Sequence, residues 1–332
     1  MQPELGEAVS RVLASGQLLL GPELDAFESH FAGWCGRGAA VGVASGTDAL
    51  RLTLTALGIG AGDEVIVPAF TAVPTAAAVL AAGAVPVMVD VDAETAAIDP
   101  AEAEAAVTER TRAVVPVHMY GRPAPVDELA GLGVAVIEDA AQAHGAAAPS
   151  GSASVAACYS FYPTKNLGGI GDGGAVVTDD ADLVARVRLL RHHGMRDQYV
   201  HEVVATNSRM SEVEAAALSV ALRHLDAGNE RRREIAHRYR AAAPGVAWQR
   251  DHPRHVYHLC VLRTADRDAW RARRPFATAV HYPLAVTQQP GYAHLARRPC
   301  PRAEAWAAEC VSVPCFPEMT DEEVETVCEA LT

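Results

Sequence analysis

Along the first two thirds of the chain, short runs of β-branched residues alternate with longer stretches rich in Ala and Leu. The apolar runs predict strands at Val41–Ala44, Val65–Val67, Val85–Val91, Ala113–His118 and Val134–Glu138. A helix is predicted at Asp48–Leu57, and turn residues such as those of Gly58–Asp63 separate the elements. Apolar strands that alternate with helices are typical of a mostly parallel sheet covered on both faces. The pattern therefore predicts an α/β fold.

The last third of the chain has a different pattern. A long helical run extends from Ser211 to about Ala243, and the segments Val256–Arg263 and Ala279–Tyr282 are predicted to be strands. These elements predict a smaller C-terminal α/β domain. The turn residues Pro244-Gly245 mark the boundary, which gives a large domain at residues 1–243 and a small domain at residues 244–332.

One uncharged stretch, Thr71–Val89, is long enough to raise the question of a membrane span. Its content is mainly Ala, and Pro74, Gly83 and Pro86 interrupt it. It is better interpreted as a buried helix, Thr75–Ala82, which ends at the glycine and is followed by the strand beginning at Val85. We therefore expect no contact with a membrane.

Composition narrows the possible functions. The 332 residues include 28 basic and 41 acidic ones, for a formal charge of −13, and so acidic a chain is a poor general binder of nucleic acid. Seven cysteines, an odd number with no CxxC pair, favour reduced thiols in a cytoplasmic protein. The sequence contains no HExxH pattern and no GxSxG pattern, so neither a metal site nor a serine hydrolase is predicted.

The basic residues have an unusual distribution, because 27 are arginine and one, Lys165, is lysine. An amine that must lose its proton and attack a carbonyl cannot be replaced by arginine, whose guanidinium stays protonated. Lys165 is therefore a candidate nucleophile. An ordinary surface lysine that has survived by chance is an equal alternative on the count alone.

Three further segments could bind a ligand. Ser45-Gly46-Thr47-Asp48 joins a predicted strand to a predicted helix, where free backbone N–H groups can bind a phosphate or where Ser45 simply caps the helix. Asp139 ends a predicted strand, at the edge where α/β sheets bind ligands, or it too is a helix cap. The run Gly169–Gly174 matches GxGxxG, but a strand and not a helix follows it. We therefore interpret it as a tight turn and not as a dinucleotide site.

Taken together, a lysine, a carboxylate and a phosphate cup are what pyridoxal phosphate (PLP) requires: a Schiff-base amine, a partner for the pyridinium nitrogen and a site for the phosphate. A wider set of motifs resembles the DegT/DnrJ/StrS family of sugar aminotransferases. The matching segments, in order over nearly the whole chain, are Ser45–Leu50, Gly62–Pro68, Glu138–Gln142, Ser160–Gly168, Arg191–Gly194, Asn207–Glu212 and Val280–Pro283.

The resemblance implies a fold, a cofactor and residue roles. The fold would be the type I, aspartate aminotransferase-like α/β fold of PLP-dependent transferases, with a smaller C-terminal domain. Lys165 would hold PLP and move the proton during transamination, while Asp139 would keep the pyridine nitrogen protonated. The other implied cofactor-binding residues are Gly46, Thr47 and Ser160 at the phosphate, Gln142 at the phenolic oxygen, Phe70 over the ring face, and Asn207, which reaches the phosphate of the neighbouring subunit of a homodimer. His281 and Tyr282 are implied to lie near the substrate.

The resemblance also implies a reaction. An amino group would pass from L-glutamate or glutamine to a nucleotide-linked keto-deoxysugar. The segments around Lys165 and Gly171–Ala175 resemble those of family members that act on 3-keto sugars, so a 3-keto sugar is the preferred acceptor. A 4-keto sugar, a cyclitol ketone and an inactive PLP-binding partner subunit remain alternatives. A nicotinamide-dependent oxidoreductase would depend only on the glycine run. Such an aminotransferase serves amino-sugar biosynthesis for secondary metabolites, antibiotics among them, or surface glycans.

Overall fold

The computed structural model describes residues 2–146 and 153–331. The helices are α1 Gln2–Ser15, α2 Pro22–Cys35, α3 Gly46–Ala56, α4 Pro74–Ala81, α5 Pro100–Glu104, α6 Val126–Ala130, α7 Ala181–Leu190, α8 Glu212–Leu222, α9 Leu225–Ala242, α10 Arg267–Ala272, α11 Pro301–Glu309 and α12 Asp321–Leu331. The strands are β1 Ala39–Val43, β2 Glu64–Pro68, β3 Val85–Val89, β4 Thr111–Val114, β5 Ala135–Asp139, β6 Ala156–Ser160, β7 Gly174–Thr178, β8 Met195–Asp197, β9 Val200–His201, β10 Ala247–Trp248, β11 Cys260–Arg263 and β12 Cys310–Val313.

Seven strands form the central sheet in the order β1-β7-β6-β5-β4-β2-β3. The pairs β2·β3, β2·β4, β4·β5 and β5·β6 are parallel, whereas β7 is antiparallel to both of its neighbours, β1 and β6. Six strands therefore point the same way, and their carboxyl ends meet at one edge of the sheet. The first residue of β7, Gly174, lies at that same edge, beside Ser160 and Val43. This edge is where a doubly covered sheet binds its ligands.

Helices cover both faces of the sheet, as the sequence predicts. On one face, apolar side chains of α3, α4 and α7, such as Leu54, Val79 and Val187, pack in one buried cluster with β1, β2 and β6. On the other face, Phe27 and Phe31 of α2 and residues of α8 pack against β6 and β7. The mostly parallel α/β sheet is thus confirmed.

The C-terminal part of the chain contains a separate antiparallel sheet, β10-β11-β12. Helices α9, α10 and α12 pack with this sheet in a core of its own. Helix α11 instead packs toward the central sheet, because Trp306 lies in the same buried cluster as Phe70 and Tyr120. The predicted division between residues 243 and 244 falls between α9 and β10, and it stays a prediction.

Most elements lie where the hydrophobic pattern predicts them, but four differ. The strand predicted at Ala113–His118 instead covers Thr111–Val114. The helical run after Ser211 is two helices, α8 and α9. The predicted strand Val256–Arg263 is paired only over Cys260–Arg263, because Val256 and Leu259 donate their N–H groups to the carbonyls of Gly121 and Tyr120 instead. The predicted strand Ala279–Tyr282 is wrong: Ala279 alone pairs, with Ser312, since the carbonyl of His281 accepts from the Tyr120 hydroxyl.

The uncharged stretch Thr71–Val89 folds as a helix, Pro74–Ala81, followed by the strand Val85–Val89. Across residues 2–146 and 153–331, none of the helices combines the length and the apolar character that crossing a membrane demands. All seven cysteines are free thiols.

Candidate active site

A cavity of about 310 Å³ opens at the carboxyl edge of the central sheet. It is lined by Ser45, Gly46, Thr47, Leu50, Thr71, Ala72, Pro74, Thr75, Val117, Asp139, Ala141, Gln142, Ser160, Tyr162, Lys165 and Asp172. Six of the residues singled out in the sequence are therefore neighbours: Gly46, Thr47, Asp139, Gln142, Ser160 and Lys165. They come from the ends of three strands and from the loops that follow them, which explains why residues so far apart in sequence converge.

One end of the cavity is the N-terminus of α3. Ser45 caps this helix by accepting a hydrogen bond from the Asp48 N–H at 3.1 Å, so its side chain is already engaged. The N–H groups of the first helical turn have no partner within the helix and carry the positive end of its dipole. A β-carbon on Gly46 would come within 2.6 Å of the Ser160 β-carbon, so only glycine permits this close approach. The N–H groups and the Ser160 hydroxyl together form a cradle for an anion.

Asp139, the last residue of β5, lies deeper in the cavity and is only 5% exposed. The Thr75 hydroxyl donates to its Oδ2 at 2.8 Å, and the Ala141 N–H donates to its Oδ1 at 3.1 Å. Burial raises the pKa of Asp139, while these two hydrogen bonds and the positive charge of Lys165 act to lower it. A cation placed against this carboxylate would stabilise its ionised form.

Lys165 lies in the loop after β6 and lines the same cavity as Asp139. Burial lowers the pKa of Lys165 to about 8, and the charge of Asp139 opposes that shift. The next residue, Asn166, fixes the loop: its amide donates to Asn229 Oδ1 at 2.8 Å and to the Val256 carbonyl at 3.0 Å. With its pKa lowered by burial, more of the Lys165 amine is unprotonated near neutral pH than in an exposed lysine, and this form is available as a nucleophile or base.

Gln142 links the cavity to the C-terminal part of the chain. Its Oε1 accepts from the Tyr120 N–H at 2.8 Å, and this bond fixes the orientation of the amide. The amide nitrogen therefore points the other way and donates to the Tyr282 hydroxyl at 3.0 Å. The nitrogen has two hydrogens, and within residues 2–146 and 153–331 the second one has no partner, so it can be donated to an oxygen of a ligand.

The residues present fit PLP. The cradle at α3 suits a phosphate, Asp139 is a buried acceptor that a protonated ring nitrogen would match, and Lys165 supplies a primary amine in the same cavity. Gln142 adds a free N–H for an oxygen substituent on the ring. These groups match the phosphate, the ring nitrogen, the reactive carbon and the ring oxygen of PLP, the cofactor that the sequence motifs imply.

The other predicted site residues do not line the cavity of this chain. Phe70 is fully buried behind it, with its ring stacked at 6.1 Å on Trp306 and at 6.4 Å from Tyr282, so its predicted place over the ring face stays a prediction. Asn207 is exposed and accepts a hydrogen bond from Arg209 at 2.9 Å. His281 is hydrogen-bonded through Nδ1 to Ser312 Oγ at 2.8 Å, and Tyr282 reaches the site through Gln142.

The structure adds residues that sequence reasoning missed. Thr75 holds Asp139, and Tyr162 and Asp172 line the mouth of the cavity, where both are exposed. The sequence signal for Thr75 is that it places a hydroxyl in an otherwise Ala-rich helix. The sequence signal for Asp172 is that it is an acidic residue within the glycine run Gly169–Gly174. Neither pattern gives the three-dimensional partner, which only the fold supplies.

Comparison with known proteins agrees with this geometry. The model of the DegT/DnrJ/EryC1/StrS aminotransferase family matches residues 1–332. A dTDP-3-amino-3,4,6-trideoxy-α-D-glucose transaminase of Streptomyces venezuelae is 46% identical, over 96% of this chain and 89% of that protein. The erythromycin biosynthesis sensory transduction protein EryC1 of Saccharopolyspora erythraea is 45% identical, over 98% of this chain and 94% of its own length.

Among solved structures, DesV of Streptomyces venezuelae in complex with a ketimine intermediate superimposes with a TM-score of 0.94. The two chains are 44% identical, and the match covers 99% of this chain and 94% of that one. The type I fold of PLP-dependent aminotransferases, expected from the sequence motifs, is therefore confirmed.

Proposed function

The chain belongs to the DegT/DnrJ/EryC1/StrS aminotransferase family and is a PLP-dependent sugar aminotransferase; on that premise, we propose that it transfers an amino group from L-glutamate or glutamine to the 3-keto group of a nucleotide-linked keto-deoxysugar. The observation that carries the proposal is the placement of Lys165, the single lysine of the sequence, opposite the buried Asp139 in a cavity with an anion cradle at one end.

Each side chain has a task in this proposal. Bound PLP supplies an electrophilic carbon and a protonated ring that withdraws electrons from the bonds of an attached amine. Lys165 would hold the cofactor through its amine. Once the amine of the donor has displaced it, Lys165 would move a proton from the substrate carbon to the cofactor carbon, which requires an amine that can lose its proton near neutral pH. Asp139, held by Thr75 and Ala141, keeps the ring nitrogen protonated. Gly46, Thr47 and Ser160 hold the phosphate, and Gln142 donates to the ring oxygen.

The position on the sugar that receives the amino group is proposed from the name of a relative. The Streptomyces venezuelae protein is named for a 3-amino sugar linked to dTDP, which supports a 3-keto nucleotide sugar over a 4-keto sugar or a cyclitol ketone. His281 and Tyr282 belong to the same proposal as substrate residues, because the hydroxyl of Tyr282 is presented next to Gln142. We propose that the reaction takes place in the cytoplasm and provides an amino sugar for a secondary metabolite.

We propose a homodimer as the active unit. Lys165 is the single cation among the described residues that line the cavity, so the anionic groups of donor and acceptor need further partners. Asn207 is exposed and does not line the cavity of its own chain. Apolar residues are also exposed around the β8–β9 hairpin: Tyr199 is 82% exposed and Val204 fully so, which is typical of an interface. A second copy would cover these residues and bring Asn207 to the neighbouring phosphate site.

The test begins with the purified protein and added PLP. We expect borohydride to trap the cofactor covalently on the peptide that contains Lys165. We also expect L-glutamate to convert the absorbance of the bound cofactor to that of its amine form. Lys165→Arg is the matched control, because it keeps a positive charge but has no amine that can lose its proton. A wild-type protein without an adduct at Lys165 would overturn the proposed role.

A second step identifies the acceptor. The amine-loaded protein is offered dTDP-linked 3-keto and 4-keto deoxysugars and a cyclitol ketone, and return of the original absorbance reports amino transfer. We expect the 3-keto sugar to react at least about tenfold faster than the others. Faster reaction of a 4-keto sugar would move the proposed position. Conversion by glutamate without reaction of any of these ketones would place the acceptor outside the three classes tested, whereas bound cofactor that glutamate does not convert would support the inactive PLP-binding partner subunit.

A further inference from the structure

A buried carboxylate outside the cavity has no role in the reaction described above. Glu214 is 4% exposed, and within the described part of the chain its Oε1 has no hydrogen-bond partner and its carboxylate has no ion pair. The residue lies in the first turn of α8, where its backbone N–H is capped by the Ser211 hydroxyl at 3.2 Å. A glutamate at this position of a helix usually folds back to the cap residue, whereas here it points toward the glycine-rich turn after Lys165.

The contact with that turn is close. The N–H groups of Ile170 and Gly171 point at the Glu214 carboxylate and act to lower its pKa. A β-carbon on Gly169 would overlap the carboxylate, so the turn can lie on Glu214 only because this position is glycine. The Glu214 carboxylate therefore packs directly against the backbone of the turn, next to the N–H groups of Ile170 and Gly171.

The same turn borders the phosphate cradle. A β-carbon on Gly174, at the end of the turn, would overlap the Ser45 carbonyl and lie 2.7 Å from the Gly46 nitrogen. Asp172, in the middle of the turn, lines the cavity. A shift of the turn away from Glu214 would consequently move groups that touch both Gly46 and the cavity mouth.

We propose that Glu214 is a positioning residue: its negative charge holds the turn Gly168–Gly174 against the phosphate cradle, and retention of the cofactor depends on that charge. The inference rests on the proposed function, because it assumes that the cradle holds the phosphate of PLP. It adds a residue that does not touch the cofactor and acts through the backbone of the turn.

The electrostatic surroundings make this charge sensitive to pH. Burial raises the pKa of Glu214 to about 7, the negative charge of Asp172 adds to the increase, and the two backbone N–H groups oppose it. Met210 and Phe161, which lie beside the Glu214 side chain at Gly173, carry no charge. As the pH falls through about 7, the carboxylate gains a proton, and its attraction for the two N–H groups weakens.

The first measurement is the dissociation constant of PLP at pH 6 and at pH 8 for the wild-type protein and Glu214→Gln. The amide has no charge at either pH, so comparing the two proteins cancels the titration of the phosphate and of Lys165. We expect the affinity of the wild-type protein to fall about fivefold more between pH 8 and pH 6 than that of the variant. This is the scale on which a charge-assisted hydrogen bond exceeds a neutral one.

Glu212→Gln is the matched control, because it makes the same change in the same helical turn. The Glu212 carboxylate accepts from the N–H groups of Gly21, Glu23 and Leu24 and has no contact with the glycine turn. This variant should retain the pH dependence of the wild-type protein. If Glu214→Gln does not fold, Glu214→Asp keeps the charge but withdraws it from the turn and should weaken PLP binding at pH 8.

Hydrogen exchange of the apoprotein separates this inference from the proposed function. We expect the protection factors of the Ile170 and Gly171 amides to be lower at pH 6 than at pH 8 in the wild-type protein and to be equal in Glu214→Gln. Equal protection and equal pH dependence of PLP affinity in both proteins would overturn the role of Glu214. A failure of the wild-type protein to bind PLP at any pH would instead overturn the role proposed for the cavity.

Discussion

Two parts of the proposed site differ in how they are held. The cofactor wall, formed by Gly46, Asp139, Ser160 and Lys165, is built from the ends of parallel strands and from the N-terminus of α3. Its polar groups are fixed within regular structure, as when Thr75 and the Ala141 N–H hold the two oxygens of Asp139. The sheet therefore sets the geometry of this wall.

The second part, called here the small-domain wall, consists of His281 and Tyr282, which do not line the cavity themselves, and it has no regular structure of its own. It is held by single hydrogen bonds that cross from one part of the chain to another: Tyr120 to the His281 carbonyl, and Gln142 to the Tyr282 hydroxyl. Such a wall can change its side chains without disturbing the sheet. In the proposed function, the chemistry therefore belongs to the cofactor wall and the choice of sugar to the small-domain wall.

The largest expected effect on activity, and the strongest test of the role of the cofactor wall, comes from Asp139→Asn. We expect kcat to fall about 100-fold or more, the scale of a preorganised charge removed from a water-poor site, because the neutral amide no longer keeps the ring nitrogen protonated. The covalent link at Lys165 should still form and be trapped by borohydride. Steady-state rates with L-glutamate and a 3-keto nucleotide sugar give the comparison with the wild-type protein.

The same variant has a second readout and a control. The charge of Asp139 raises the pKa of Lys165, so its removal should move the midpoint of PLP capture by the apoprotein from about pH 8 to lower pH. Asp172→Asn makes the same chemical change at an exposed position of the cavity mouth and should cost less than about tenfold in kcat. Wild-type activity in Asp139→Asn would mean that this carboxylate does not face the ring nitrogen.

The two walls also differ in how far the sequence predicted them. Asp139 and Ser45–Thr47 follow predicted strands, and because parallel strands end at one edge, their convergence follows from the alternation of elements. Lys165 follows β6, a strand that the hydrophobic pattern does not predict, so its place beside them is known only from the fold. Thr75 could not be assigned, because its hydrogen bond to Asp139 joins two segments that are distant in sequence. The strand predicted at Ala279–Tyr282 failed for the same reason, since the partner of His281 is Tyr120 and not a neighbouring strand.

A smaller effect is expected on the small-domain wall from Tyr282→Phe. The variant loses the hydrogen bond from Gln142, while the ring keeps its place beside Phe70. We expect kcat/KM for the keto sugar to fall about 3- to 10-fold, as for one neutral hydrogen bond. PLP affinity should change by less than about twofold, which a spectroscopic titration measures.

Tyr162→Phe is the matched control for Tyr282→Phe, because it removes a hydroxyl from an exposed tyrosine that lines the same cavity. It should leave kcat/KM within about twofold of the wild-type value, since an exposed hydroxyl bonded to water contributes little net free energy. A loss of PLP affinity in Tyr282→Phe, with the reaction of the sugar unchanged, would place Tyr282 on the cofactor wall and remove the distinction between the walls.

The smallest functional effect is expected from Phe70→Leu, which tests where the two walls meet. The Phe70 ring is fully buried and stacked on Trp306 of α11, so it supports the small-domain wall from behind. We expect the midpoint of thermal unfolding to fall by a few degrees, for a packing loss of about 1 kcal/mol, with PLP affinity within about twofold of wild type. Phe27→Leu, at a buried site on the opposite face of the sheet, is the control for stability. If Phe70→Leu instead weakened PLP binding tenfold or more while Phe27→Leu did not, Phe70 would contact the ring face and belong to the cofactor wall.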